Sequence, residues 1–152
     1  MAQLKRLVVG LGNPLAGSDA FGSAVLVRLR ERGALPAGVA LLDAHTDLLG
    51  QIDTFLAYDD VVLVDAVMGA GRAGNVAVFD ERTFSSWPDS AASCHHLSPL
   101  LAVKLFRTLY PQAPTRLALV GFCTEEVTVG QGLPETAVTS GVEAITRLLL
   151  AG

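Results

Sequence analysis

Asp60-Val61-Val62-Leu63-Val64-Asp65 is the stretch on which the fold turns. It sets consecutive apolar residues, mostly β-branched, between two carboxylates. Such side chains suit a pleated surface, and an unbroken run of them suits a strand covered on both faces. Upstream, Leu7-Val8-Val9 is a similar compact run, stopped by Gly10-Leu11-Gly12-Asn13-Pro14, and Val39-Ala40-Leu41-Leu42 is another. Helical patterns lie between them. From Ala24 to Arg32, Val25, Leu26 and Leu29 recur at helical spacing opposite Arg28, Arg30, Glu31 and Arg32, and Gly33 stands where a left-handed residue ends a helix. From Asp47 to Tyr58, Leu48, Leu49, Ile52 and Phe55 share one stripe, which predicts a second helix. The order strand, helix, strand, helix, strand predicts a parallel sheet with right-handed crossovers and helices on its faces.

Beyond this unit, the glycine-rich segment Gly69 to Asn75 leads into Val76-Ala77-Val78-Phe79. That link is too short for a crossover helix, so this strand is expected to be antiparallel and at an edge. Asp80 to His96 is a long polar stretch around Trp87-Pro88, of a length that favours a functional loop. A helix over Leu97–Tyr110, a fifth strand over Leu117-Ala118-Leu119-Val120 and a closing helix over Pro134–Leu150 complete the chain. No repeat or domain boundary interrupts it. The fold class expected for residues 1–152 is α/β: a single three-layer αβα sandwich around a mostly parallel, twisted five-stranded sheet with one antiparallel edge strand.

Composition narrows the function. The 152 residues are 51% hydrophobic and 17% charged, enough for a full core and too apolar for disorder. With 11 basic against 15 acidic residues the net charge is −4, which removes the basic footprint of a nucleic-acid binder. Cys94 and Cys123 are too few for a disulfide scaffold and lack CxxC spacing. They read as buried small hydrophobes. Met1 to Arg6 lead straight into a strand without a secretory h-region, and no window of about 20 residues is apolar and uncharged. A soluble, cytoplasmic protein without a membrane partner is expected.

In a doubly wound sheet, ligands bind beyond the carboxyl ends of the strands where strand order reverses, here between the first and third strands. Two loops meet there, Gly10 to Gly22 and Asp65 to Gly74, and each brings an acid, Asp19 and Asp65. Plainer roles compete: Asp19, with Ser18, as a helix cap, and Asp65 as a strand end holding a turn. His45, His95 and His96 compete for one role at the same edge. The glycines of the first loop lack the third position of a dinucleotide fingerprint, and neither HExxH nor GxSxG occurs. A nucleotide-binding small-molecule enzyme therefore ranks third among the readings.

Leu7 to Pro14 is similar to the opening of bacterial peptidyl-tRNA hydrolases, but Leu15-Ala16-Gly17-Ser18-Asp19-Ala20-Phe21-Gly22 lacks the histidine-bearing continuation of those enzymes. An acidic chain also suits tRNA poorly. Read to Gly22, the loop resembles the endopeptidases that mature nickel–iron hydrogenases, whose motif is Gly-x-Gly-Asn-x-Leu-x-x-Asp-(Asp/Glu)-Gly-x-Gly. Gly10, Gly12, Asn13, Leu15, Asp19 and Gly22 match, while Ser18 and Ala20 depart. Further pieces follow in order. Asp43-Ala44-His45-Thr46 stands at an Asp-Gly-Gly-Thr-like turn with both glycines replaced. Val64-Asp65-Ala66 with Gly71 and Gly74-Asn75-Val76 resembles a Val-Asp-Ala…Pro-Gly-Thr-Val segment, with Ala73 for the proline. Ser93-Cys94-His95 corresponds to a Ser-x-His element, and Val120-Gly121-Phe122 and Gly130-Gln131-Gly132-Leu133 to the late glycine elements.

The resemblance implies a hydrogenase-maturation-protease-like domain over residues 1–152, with Asp19, Asp65 and His95 as metal ligands and Asp19 and Asp65 as catalytic acids. Asn13, His45, Thr46 and His96 then contact those ligands or the substrate. Two carboxylates and one imidazole leave open positions for a borderline divalent ion, nickel brought by the substrate or zinc in vitro. Water at the metal becomes the nucleophile, with Asp19 or Asp65 as base. The implied partner is the precursor of a nickel–iron hydrogenase large subunit, which loses a short C-terminal extension, and the implied state is a monomer. The rival reading is a non-catalytic checkpoint module that binds the nickel-loaded subunit without cutting it.

Overall fold

The computed structural model describes residues 3–12, 17–33, 35–45, 47–87, 99–125 and 132–151. The central strand, β3 (Asp60–Met68), extends the Val61–Val64 run in both directions. It lies between β1 (Arg6–Leu11) and β5 (Arg116–Thr124), both parallel to it. β2 (Val39–His45) pairs parallel with the other side of β1, and β4 (Val76–Asp80) pairs antiparallel with β5. The order β2-β1-β3-β5-β4 places the antiparallel strand at an edge and the reversal of strand order between β1 and β3.

Alternation along the buried strands divides the core into two layers. Leu7, Val9, Val61, Leu63 and Val67 pack with Leu48, Ile52, Phe55 and Phe84, and with Val103 and Phe106 of α3 (Pro99–Leu109). Val8, Val62, Val64 and Val120 pack on the other side. There they meet Phe21, Val25, Leu26 and Leu29 of α1 (Phe21–Arg32), and Val142 and Ile145 of α4 (Glu135–Ala151). Helices thus cover both faces of the sheet, as the αβα sandwich requires. Gly33 ends α1 with φ of 66°, and its N–H reaches the Leu29 carbonyl at 3.3 Å. Among the described residues no helix is long and apolar enough to cross a membrane.

Local structure departs from expectation in four places. The segment expected as a helix over Asp47–Tyr58 is a 3-10 helix over Leu49–Ala57. The Asp47 carboxylate accepts the Gly50 N–H at 3.1 Å, and the Leu48 carbonyl accepts the Gln51 N–H at 3.0 Å. Three-residue turns also keep the buried Ile52 and Phe55 on one side. The polar stretch after β4 opens with a short helix, α2 (Glu81–Ser85), whose N-cap Asp80 accepts the Thr83 N–H at 2.8 Å. The N-cap of α1 is Ala20, without a side-chain cap bond, so neither Ser18 nor Asp19 holds that position. Asp65 does not end its strand, because β3 runs on to Met68.

The seam between α1 and the sheet depends on two glycines. A Cβ on Gly22 would lie 2.3 Å from the Leu11 carbonyl oxygen and 2.6 Å from that of Val64. A Cβ on Gly10 would lie 2.6 Å from Leu26 Cδ1 and 2.9 Å from the Gly22 oxygen. Helix propensity favours alanine over glycine by about 1 kcal/mol, but backbone oxygens cannot swing aside, and overpacking costs about 1–3 kcal/mol or more. Gly22→Ala is therefore expected to lose on the order of 2 kcal/mol net. Gly33→Ala meets open space and only the left-handed backbone cost, about 1 kcal/mol. Urea denaturation of the two variants checks this ranking; equal midpoints would contradict the close seam.

Candidate active site

Asp65 is the polar residue at the centre of the molecule. It lies opposite Gly121 of β5 and is 0% exposed. By alternation with Leu63 and Val67 it faces the layer formed by α3 and the 3-10 helix. Its Oδ1 accepts the following Ala66 N–H at 2.8 Å. A carboxylate costs several kcal/mol to remove from water, so one retained on a central strand points to chemistry rather than packing.

The described residues just before α1 approach the same strand. Gly12 takes φ of 111°, and the 3-10 turn Gly17–Ala20, which includes Asp19, packs against β3 as well as α1. The structure thus brings the backbone carrying Asp19 alongside the strand carrying Asp65; the side chains of Ser18 and Asp19 lie outside the described set. Asn13, Thr46, Cys94, His95 and His96 also lie outside the described residues. Among the described residues no three His, Cys, Asp or Glu side chains cluster around a common point. Cys123 is buried on β5, and that burial raises its thiol pKa, in keeping with a small core residue rather than a nucleophile.

The helices that precede and follow the segment that includes His95 and His96, α2 and α3, are joined by a side-chain clamp. Arg107 of α3 donates from Nε and an Nη to the two carboxylate oxygens of Glu81 in α2, at 2.9 and 2.7 Å. It also donates to the Ala113 and Thr115 carbonyls, at 2.9 and 2.6 Å. The facing carboxylate raises the Arg107 pKa further above its ordinary value, so the clamp stays charged. The clamp joins the first residue of α2 to the last turn of α3, and α3 lies on the Asp65 side of the sheet.

A further cluster lies at the end of β2. Asp43 Oδ1 accepts from the buried Ser23 hydroxyl of α1 and from the His45 N–H, each at 3.2 Å. It also lies 3.3 Å from His45 Nδ1. The His45 carbonyl accepts the Gly12 N–H at 2.7 Å, which ties this corner to the loop after β1. Sequence reasoning singled out His45 but missed Ser23; the available signal was a hydroxyl within the inward stripe of α1.

With this geometry in hand, the chain can be compared with known proteins. A family model described as hydrogenase maturation protease matches residues 24–150, which takes in Asp65 and begins after Asp19. Hydrogenase 2 maturation protease of Escherichia coli (strain K12) is 25% identical over 149 residues, 97% of this chain and 90% of that protein. The hydrogenase maturating endopeptidase HybD from E. coli has a similar structure, with a TM-score of 0.76 and 22% identity. The match covers 97% of this chain and 93% of that one. For the NiFe hydrogenase maturation protease HycI from Thermococcus kodakarensis KOD1 the TM-score is 0.73 and the identity 21%, over 97% and 91% of the two chains.

The clamp is open to a direct test. Arg107→Ala leaves a carboxylate and two carbonyls without their donor and is expected to cost about 2 kcal/mol, discounted for partial exposure. Arg107→Lys restores charge but not the two-pronged geometry and is expected to recover less than half of that loss. Chemical denaturation of both variants decides; full recovery by lysine would mean that charge alone suffices.

Proposed function

The chain belongs to the hydrogenase maturation protease family and is a hydrolase of the endopeptidase type, and from that premise we propose what it cuts and how it selects it. The substrate is the nickel-loaded precursor of a NiFe hydrogenase large subunit, and the product is that subunit shortened by its C-terminal extension. The observation that carries this reading is the fully buried Asp65 carboxylate at the β1/β3 reversal, beside the turn that includes Asp19. Ligand sites of doubly wound sheets lie at that point.

Asp19, Asp65 and His95 recognise the nickel that arrives within the precursor. Two oxygen donors and one imidazole match the preferences of a borderline divalent ion, and they leave positions for the ligands that the precursor already supplies. Zinc meets the same donor set in vitro. Asn13, His45, Thr46 and His96 contact these three or the precursor. Once the precursor is anchored, water attacks the scissile carbonyl while Asp19 or Asp65 accepts its proton. The enzyme acts as a monomer in the cytoplasm, with its partner docked over the carboxyl edge of the sheet.

The test is incubation of the purified protein with nickel-loaded and nickel-free precursor, followed by mass spectrometry. Wild type is expected to release a C-terminal peptide only from the loaded form. Asp19→Asn, Asp65→Asn and His95→Ala are each expected to slow release at least about 100-fold. An unchanged precursor mass with tight, nickel-dependent binding would replace this reading with a checkpoint role. Full activity in either acid variant would remove that acid from the chemistry.

A further inference from the structure

The loop that joins β3 to β4 presents a cation at the carboxyl edge of the sheet. Among the chain's 11 Lys and Arg residues, Lys5, Arg6 and Arg116 stand at the amino ends of strands, and the others, apart from Arg72, lie in helices. Arg72 stands between the end of β3 at Met68 and the start of β4 at Val76. It is exposed and pairs with no described residue, the exposed Glu125 beyond β5 included. By contrast, Arg6, Arg28, Arg107 and Arg116 each face a carboxylate.

The loop holds Arg72 in place. The Arg72 carbonyl accepts the Asn75 N–H at 3.1 Å, and Gly74 takes φ of 91°, the third-position conformation of a type II turn. The Gly74 N–H donates to the Cys123 carbonyl and the Cys123 N–H to the Asn75 carbonyl, both at 2.8 Å, which ties the turn to β5. Gly71 lies so close to Cys123 that a Cβ there would stand 2.9 Å from its Sγ. A turn fixed in this way loses little conformational freedom when a ligand reaches it.

The loop also lies on the same side of the sheet as the Asp65 carboxylate. Cys123 and Val67 share the core layer beneath α3 and the 3-10 helix, and Ala70 packs against it. Asp65 faces that layer by alternation with Val67. Val67 pairs with Cys123, so the Cα atoms of Asp65 and Cys123 are roughly 8 Å apart, two residues along and one strand across. An extended peptide covers that distance in about three residues. A precursor cut beside Asp65 therefore carries its neighbouring side chains towards the Arg72 guanidinium. The net charge of −4 disfavours an acidic segment elsewhere on this protein, so a lone cation at this edge discriminates. A guanidinium suits a carboxylate best, through two parallel hydrogen bonds.

We propose that Arg72 is a specificity-determining residue that binds an acidic side chain of the precursor within about three residues of the scissile bond. The assignment rests on the reading of the Asp65 edge as the cleavage site. Arg72 takes no part in the bond-breaking step; it selects and registers the segment to be cut.

The test is steady-state cleavage of nickel-loaded precursor by wild type, Arg72→Ala, Arg72→Glu and Arg72→Lys, followed by mass spectrometry. Because the side chain has no described partner, the unfolding midpoints of all four should agree. Arg72→Ala is expected to raise KM about five-fold and Arg72→Glu about 20-fold, while Arg72→Lys stays within about two-fold. In each variant kcat should remain within about two-fold of wild type, the signature of lost binding rather than lost chemistry. In about 1 M salt, where charges are screened beyond about 3 Å, wild type and Arg72→Ala should converge. Precursors in which single Asp or Glu residues near the cut become Lys supply the partner: one such exchange should raise KM for wild type and restore Arg72→Glu. Wild-type KM in Arg72→Glu, an equal loss in Arg72→Lys and Arg72→Ala, or no compensating precursor would each overturn the assignment. A wild type that cuts no precursor would instead overturn the cleavage reading itself, and this role with it.

Discussion

The start of α1 rests directly on the backbone of β1 and β3, and the remainder of the site depends on that contact. Gly22 sits where any side chain would collide with the carbonyls of Leu11 and Val64, and Gly10 is closed from above by Leu26. Immediately before the helix, the 3-10 segment Gly17–Ala20 lies against β3. The same seating brings Ser23 within reach of Asp43 on β2. Two positions without side chains thus set where a turn, a strand end and a hydroxyl meet.

The sheet has chemically distinct ends. At the amino edge Asp60 binds Arg116 through two hydrogen bonds, at 2.6 and 3.0 Å, and lies 3.4 Å from Arg6 Nε. Arg6 also donates to the Leu149 carbonyl, which satisfies an acceptor near the end of α4. Each cation there has a partner, an arrangement that ties strands and helix together. At the carboxyl edge, Asp65 lies within the core and Asp43 holds an exposed imidazole. Structural ion pairing and candidate chemistry are therefore separated along the strands.

How far the sequence disclosed this arrangement depended on the range of the interactions involved. Val61–Val64 is legible as β3 because three of its four apolar residues are β-branched and carboxylates bound the run, and Gly33 marks the end of α1 because few residues tolerate that backbone. The antiparallel β4 followed from link length alone. Leu49–Ala57 reads as an α-helix in the sequence because Ile52 and Phe55, three apart, fit both periods; the Asp47 carboxylate accepting the Gly50 N–H is the discriminating detail. Asp65 could be placed because it directly follows a strand run. The Ser23–Asp43–His45 cluster could not, since it joins residues from two elements through a register slip that no local pattern announces.

The nine-residue 3-10 helix Leu49–Ala57 has a dynamic consequence. Its bonds span three residues instead of four and are bent, so each amide is protected less firmly than in α1 or α4. Phe55 and Ile52 anchor it to the core, but the exposed Leu56 and half-buried Leu49 add little. Amides bonded this way are protected less firmly against local opening than those of the buried central strands. The 3-10 helix shares with α3 the side of the sheet toward which Asp65 faces, so part of the cover on that side is held by bonds of this weaker kind.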